Sequence, residues 1–278
     1  MSFIREVISS RELLVNLTMR EVKGKYKRTV FGQLWSLANP LAAMLIYTFV
    51  FAFIFRATPD RGDPSGLNVF ALWLLCGLLP WTFVAATINS GLGSLIANAG
   101  LIQKVHFSRI VLPLSNVAAT GYNWLFEMAV LLIALTIAGA FVIPWIPLML
   151  VLMVLLAMFA AGIALMLAVA NVHFRDTQNF VTILLQIWMY LTPIIYPLNL
   201  IQVQSDRLGP LLGTQFTLIE VFKWNPMENF IDVFRQLLYD NRWPDGDTFL
   251  ICAIWAMASL AVGVWIFRRN ERGLAEAL

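Results

Sequence analysis

Apolar residues in this chain fall in long unbroken runs, where an amphipathic soluble helix or strand would show a spaced pattern. A bilayer-crossing α-helix needs about 20 consecutive apolar residues. Six stretches meet or approach that length: Leu34–Phe55, Val69–Ala97, Leu114–Ala138, Leu148–Val172, Phe180–Tyr196 and Thr248–Phe267. The pattern predicts an all-α integral membrane protein with six transmembrane helices. Gly77 and Pro80 predict a kink in the second. The fifth, only 17 residues long, closes on Thr192-Pro193 and runs into Pro197.

Outside these runs the chain divides into residues 1–33 and the connectors of a six-span domain, 34–278. The first segment mixes Arg5, Arg11, Arg20, Lys23, Lys25, Lys27 and Arg28 with Ile8, Leu13, Leu14, Leu17 and Val22. That mixture predicts an amphipathic helix at the cytoplasmic membrane interface. A purely electrostatic topology anchor is the competing reading. Residues 197–247 are too long for a plain connector and semi-apolar, with Leu211, Leu212, Phe216, Leu218, Ile219, Val221 and Phe222 ahead of Asn225-Pro226. They predict re-entrant external helices packed on the spans, against the alternative of a folded cap lying on the outer surface.

Composition agrees with the runs. Hydrophobic residues make up 60% of the chain, charged residues 13%, and the mean hydropathy is +0.76. A soluble domain carries about 25% charged residues, so a water-facing surface is excluded. Twenty Phe, 10 Trp and 6 Tyr exclude disorder. Cys76 and Cys252 lie in apolar stretches without metal-ligand spacing and read as small buried hydrophobes. No cleavable signal peptide is visible. Charge then orients the spans. The amino terminus, loops 98–113 and 173–179 and the carboxyl tail carry 13 Lys/Arg against 6 acids; the alternate connectors carry 6 against 9. Both termini are predicted to be cytoplasmic.

Candidate chemistry is sparse. There is no GxxxxGK[ST] phosphate loop, HExxH or GxSxG motif. Compact basic–aromatic clusters, Lys104-Val105-His106-Phe107-Ser108-Arg109 and His173-Phe174-Arg175-Asp176, occupy the two short cytoplasmic loops. Glu127 is the one acid deep in a predicted span, and it closes a polar stripe with Asn116, Thr120 and Asn123 at helical spacing. Such a stripe faces protein or water, and it fits helix–helix hydrogen bonding or a direct transport role. Tyr47, Phe51 and Phe55 recur at i, i+4, i+8 along the first span, and Trp188 and Tyr190 lie in the fifth. Aromatic faces stack on sugar rings, yet the same stripe fits lipid-facing packing. The open function classes are a transport subunit powered by another chain and a secondary transporter using Glu127. An intramembrane enzyme is disfavoured by the lack of a His/Asp/Cys constellation.

Residues 25–41, reading KYKRTVFGQLWSLANPL, resemble the opening motif of polysaccharide-exporting ABC transporter permeases, and Tyr47-Thr48-Phe49-Val50-Phe51 continues it. Residues 107–113 resemble that family's first cytoplasmic loop, with Ser108 where Pro is usual and Ile110 where Glu is usual. Phe174-Arg175-Asp176 matches the second loop. Thr192 to Pro197, Asn225-Pro226 and Phe234-Arg235 match late signatures. The resemblance implies a type-2 ABC exporter permease, closest to O-antigen exporters, in a bacterial inner membrane. It implies a homodimer with two copies of a separate ABC ATPase. ATP and Mg would lie on that partner, with no cofactor on this chain. The cargo would be a lipid-linked glycan on an undecaprenyl-type carrier; teichoic acid, galactan or capsule polymers are the alternatives. Membrane lipids are expected contacts and nucleic acid is not. Lys104, His106, Phe107, Arg109, His173, Arg175 and Asp176 would couple to the ATPase. In this family the path runs at the dimer interface between the first and fifth spans, which makes Tyr47, Phe51, Phe55, Trp188 and Tyr190 candidates for glycan contact.

Overall fold

The computed structural model describes residues 9–25, 27, 29–54, 56, 61–105, 107–210, 217–271 and 273–274, and these contain helices and no strand. In chain order the helices are α1 (Arg11–Lys25), α2 (Trp35–Tyr47), α3 (Phe70–Ala97), α4 (Ala99–Lys104), α5 (Val111–Ile137), α6 (Ile146–His173), α7 (Thr177–Tyr190), α8 (Leu198–Leu208), α9 (Leu218–Lys223), α10 (Pro226–Arg235) and α11 (Gly246–Asn270). A 3₁₀ turn, Gly32–Leu34, leads into α2, and π-helical turns extend α2 over Thr48–Ile54 and α10 over Gln236–Asp240.

Among the described residues, five helices are long and apolar enough to cross a bilayer: Gly32–Ile54, Phe70–Ala97, Val111–Ile137, Ile143–His173 and Gly246–Asn270. The fifth predicted stretch differs. Its helix α7 has 14 residues, about 21 Å at 1.5 Å per residue, short of a hydrocarbon core of about 30 Å. The helix stops because Pro193 disfavours helical backbone at Thr192, and residues 191–196 form turns.

Helix α3 carries no charged residue and buries most of its surface, and it is the axis of the bundle. Trp73, Leu74, Leu78, Val84, Ile88 and Leu92 are buried along it against α5 and α6. It runs through Gly77 and Pro80 without a break in the helix. Helix α11 lies along α6 at very close range. A Cβ on Gly162 would overlap the Ser259 carbonyl, and one on Gly263 would stand 2.7 Å from Gly162 Cα. Small residues permit this approach, and van der Waals contact holds it where lipid is as apolar as the side chains.

Helix α1 packs on α5 with Leu17 buried and Leu13 and Leu14 beside it, while Arg11, Arg20, Lys23 and Lys25 are exposed. The region 197–247 divides in two. Helix α10 starts at Asn225, whose side chain accepts the Met227 N–H at 3.1 Å, with Pro226 in the first turn. Its residues Phe230, Ile231, Val233 and Phe234 are fully buried among α3, α6 and α11. Helices α8 and α9 pack on each other outside it, and Ser205 Oγ accepts the Ile219 N–H at 3.2 Å. Thr217 and Glu220 cap α9 reciprocally, and the Thr217 N–H and hydroxyl hold the Glu220 carboxyl below its usual range.

Candidate functional site

Three places gather the polar side chains. The first is the end of the bundle where α1 meets the residues that follow α11. Leu17, Ile102, Ile110, Val172, Phe267 and Leu274 share one apolar cluster, so α1, both short loops and the carboxyl end meet there. Above that root the two loops diverge. Arg109 donates its backbone N–H to Glu271 Oε1 at 3.3 Å and a guanidinium N–H to the Glu271 carbonyl. Phe107 is half-buried against the cluster and Lys104 is exposed; His106 lies outside the described residues. In the second loop His173 Nδ1 is 2.9 Å from the Val169 carbonyl, and Phe174, Arg175 and Asp176 stand exposed. Arg20 donates to Asn98 Oδ1 at 2.7 Å, which ties α1 to the end of α3. Glu271 and Asn98 were not singled out from the sequence, because no local spacing links positions 162 and 78 residues apart.

The aromatic stripe does not form one outward face. Phe51 is half-buried and stacks on Phe70, with ring centroids 6.5 Å apart, and Tyr47 packs partly against the core. Tyr47 and Phe51 thus lean on the same core, and the outward i, i+4 pair in this segment is Phe49 and Phe53, with ring centroids 6.2 Å apart. Phe55 lies outside the described residues. Trp188 sits inside the bundle, edge-on to Trp81 at 5.5 Å, and donates to Asn225 Oδ1 at 2.9 Å. It fastens α7 to the start of α10, whereas Tyr190 is exposed.

The polar stripe on α5 does converge on a space. Asn123, Thr120 and Glu127 line an open cavity of about 530 Å³ between α2, α3 and α5, together with Trp35, Trp81 and Trp124. Asn116 lies a turn below, its amide donating to the Leu112 carbonyl at 3.1 Å. Lys25, Thr29, Ser36, Asn39 and Pro40, all from the 25–41 motif, are part of the wall.

At the opposite end of α3, Arg235 is the polar centre of a buried node. Its guanidinium donates to the Pro193 and Ile194 carbonyls, both at 2.8 Å, and lies 3.6 Å from the Trp73 ring centroid. Gly77 makes room: a Cβ there would come 3.0 Å from Arg235 Nη2. The sequence carried a signal for this node, since Glu228, Asp232, Arg235 and Gln236 form a polar stripe at i, i+4, i+7, i+8 on a segment whose other residues, Asn229 apart, are apolar.

Comparison with known proteins places this architecture. Residues 12–208 match the ABC-2 type transporter family, more than two thirds of the chain. The chain belongs to the ABC-2 type transporter family. An ABC-2 relative, the O-antigen export system permease protein RfbA of Myxococcus xanthus, is 28% identical over 99% of this chain and 98% of its own length. The protein of the same name from Klebsiella pneumoniae is 31% identical over 96% and 95%. The polysialic acid transport protein KpsM of Escherichia coli is 25% identical over 93% of each. The ABC-2 match begins inside α1 and ends with α8, so it contains both loops and the cavity, while these relatives extend over α10 and α11 as well.

Proposed function

We propose that this chain is the membrane-spanning permease subunit of an ATP-driven exporter of a lipid-linked, O-antigen-type polysaccharide. The observation that carries the reading is full-length similarity, 31% identity over 96% of the chain, to an O-antigen export permease. It acts as a homodimer with two copies of a separate ATPase, which holds ATP and Mg, and this chain has no ATP site of its own. Both termini face the cytoplasm of a bacterial inner membrane. Parity supports that orientation. Leu17 and Leu274 share one cluster, so α1 and the segment after α11 lie on one side, and five long helices need a sixth passage. Helix α7 and turns 191–196 supply it, with α10 entering the outer half of the membrane as a re-entrant helix.

The ATPase docks on the exposed Phe174-Arg175-Asp176 loop and on the loop around Lys104–Arg109. Closure of the nucleotide sites moves the second loop, and the shared apolar root carries α1, α4 and the carboxyl end with it. Arg109 and Glu271 make that layer one body. Arg109→Ala or Glu271→Ala should therefore lower ATP-dependent export about tenfold, within the usual 5–150-fold range of coupling energies, while the permease–ATPase complex still purifies at a two-plus-two mass. Export unchanged in both variants would remove the coupling role. A complex of any other composition would overturn the assembly.

A further inference from the structure

Helix α1 is fastened to the bundle by one face. Leu17 is buried in the apolar cluster at its root, while Val15 and Met19, on the opposite face of the helix, are 56% and 48% exposed. Those two side chains form one wall of an apolar groove of about 570 Å³. Gly121 and Leu125 of α5 and Leu150 and Val154 of α6 are part of its other walls. Helices α5 and α6 are both long and apolar enough to cross a bilayer, so whatever fills the groove comes from the membrane.

The lining selects an alkyl chain. No charged side chain is part of it, and the Thr18 hydroxyl already donates to the Leu14 carbonyl at 2.7 Å. A hydroxylated ligand would lose most of its water there without replacement, whereas an alkyl chain gains by burial. Gly121 makes the room. A Cβ on it would meet only Phe83 Cε2, at 4.0 Å, so the missing side chain leaves a slot open in the α5 wall.

Charge marks the ends of the groove wall. Arg11, Val15, Met19 and Lys23 recur at i, i+4, i+8 and i+12, so the two apolar residues stand on one stripe between two cations. Both cations are exposed, and neither is in an ion pair among the described residues. Helix α1 carries four basic residues against two acidic ones, and one of those acids, Glu21, is paired with Arg20 at 2.6 Å. An apolar slot beside a net-positive helix fits an amphiphile with an anionic head. We propose that the groove holds an acyl chain of an anionic glycerophospholipid, whose phosphate lies against the cations that bracket the α1 stripe. This resident lipid is a partner of the fold, distinct from any exported cargo, and the proposal does not rest on the exporter reading.

The test uses the full chain in phosphatidylcholine nanodiscs doped with phosphatidylglycerol that carries a diazirine in one acyl chain. Photolabelling should saturate and map to residues 14–19, 117–125 and 150–157. Gly121→Leu, which puts a side chain into the slot, should lower that labelling about tenfold at an unchanged thermal midpoint. If the midpoint falls, Val154→Trp on the exposed α6 wall is the plug that decides. Arg11→Gln combined with Lys23→Gln should keep the label in the groove. It should lower the preference for phosphatidylglycerol over phosphatidylethanolamine about fivefold per charge removed. Wild-type labelling in the plugged chain overturns the groove. Equal displacement by phosphatidylethanolamine in the unaltered chain overturns the anionic head. Stronger displacement by undecaprenyl phosphate than by phosphatidylglycerol overturns the phospholipid and gives the site to a polyprenyl carrier. None of these outcomes reads export, so the exporter reading stands or falls separately.

Discussion

Gly162→Leu is expected to abolish recovery of folded protein from the membrane. The side chain would have to occupy the position of the Ser259 backbone carbonyl, and a backbone cannot turn aside as a side chain can. Ser259 also donates its hydroxyl to the Phe159 carbonyl at 2.8 Å, so separating α6 from α11 breaks that bond too. Overpacking typically costs about 1–3 kcal/mol; here the obstacle is main chain on both sides, and the cost should reach or pass the upper end. Gly263→Leu should do the same from the facing helix. Gly93 on α3 is the control, because nothing lies within 4 Å of a Cβ built there. Gly93→Ala should be neutral or gain up to about 1 kcal/mol from helix propensity. Thermal midpoints from size-exclusion recovery would measure all three, and a well-folded Gly162→Leu protein would show that α11 does not sit where it is drawn.

Arg235→Met should be nearly as damaging, by another route. Methionine fills comparable volume but leaves the Pro193 and Ile194 carbonyls unpaired and removes the cation beside Trp73, Asp232 and Asp240. Removing one partner from a buried charged group costs about 3–5 kcal/mol. Arg235→Lys should fail to restore it, since an ammonium cannot bond two successive carbonyls as a planar fork does. The effect should be local. Pro193 and Ile194 belong to the turns that end α7, so the 191–210 region should become open to proteolysis first, with the cluster around Leu17 and Phe267 intact. Rescue by Arg235→Lys would assign the node to charge alone.

How far these features were legible depended on how local their causes are. Spans one to four and six are written as continuous apolar runs, and the structure places long helices over each. The fifth run extends to Tyr196 in composition, but backbone sterics at Thr192-Pro193 end the helix at Tyr190, which hydropathy does not register. Helical spacing brought Thr120, Asn123 and Glu127 together correctly, because all three ride on one helix. Spacing also put Tyr47 and Phe51 on one face, and both lean on the core; the π-helical turns that follow Tyr47 leave no mark in a uniformly apolar segment. Arg109–Glu271 and Arg235 with Pro193 join residues 162 and 42 positions apart, and only packing decides such pairs. Arg235 lay within a recognised motif that gave it no role; the polar stripe it shares with Glu228, Asp232 and Gln236 was the signal that went unread.

The most direct measurement is to deplete this chain in its host and locate the long glycan by fractionation. Lipid-linked polymer retained in the cytoplasm, with the surface layer lost, is the expected result. An unchanged surface glycan with no internal accumulation would contradict an exporter role and turn attention to a small-molecule transporter with Glu127 as its coupling site.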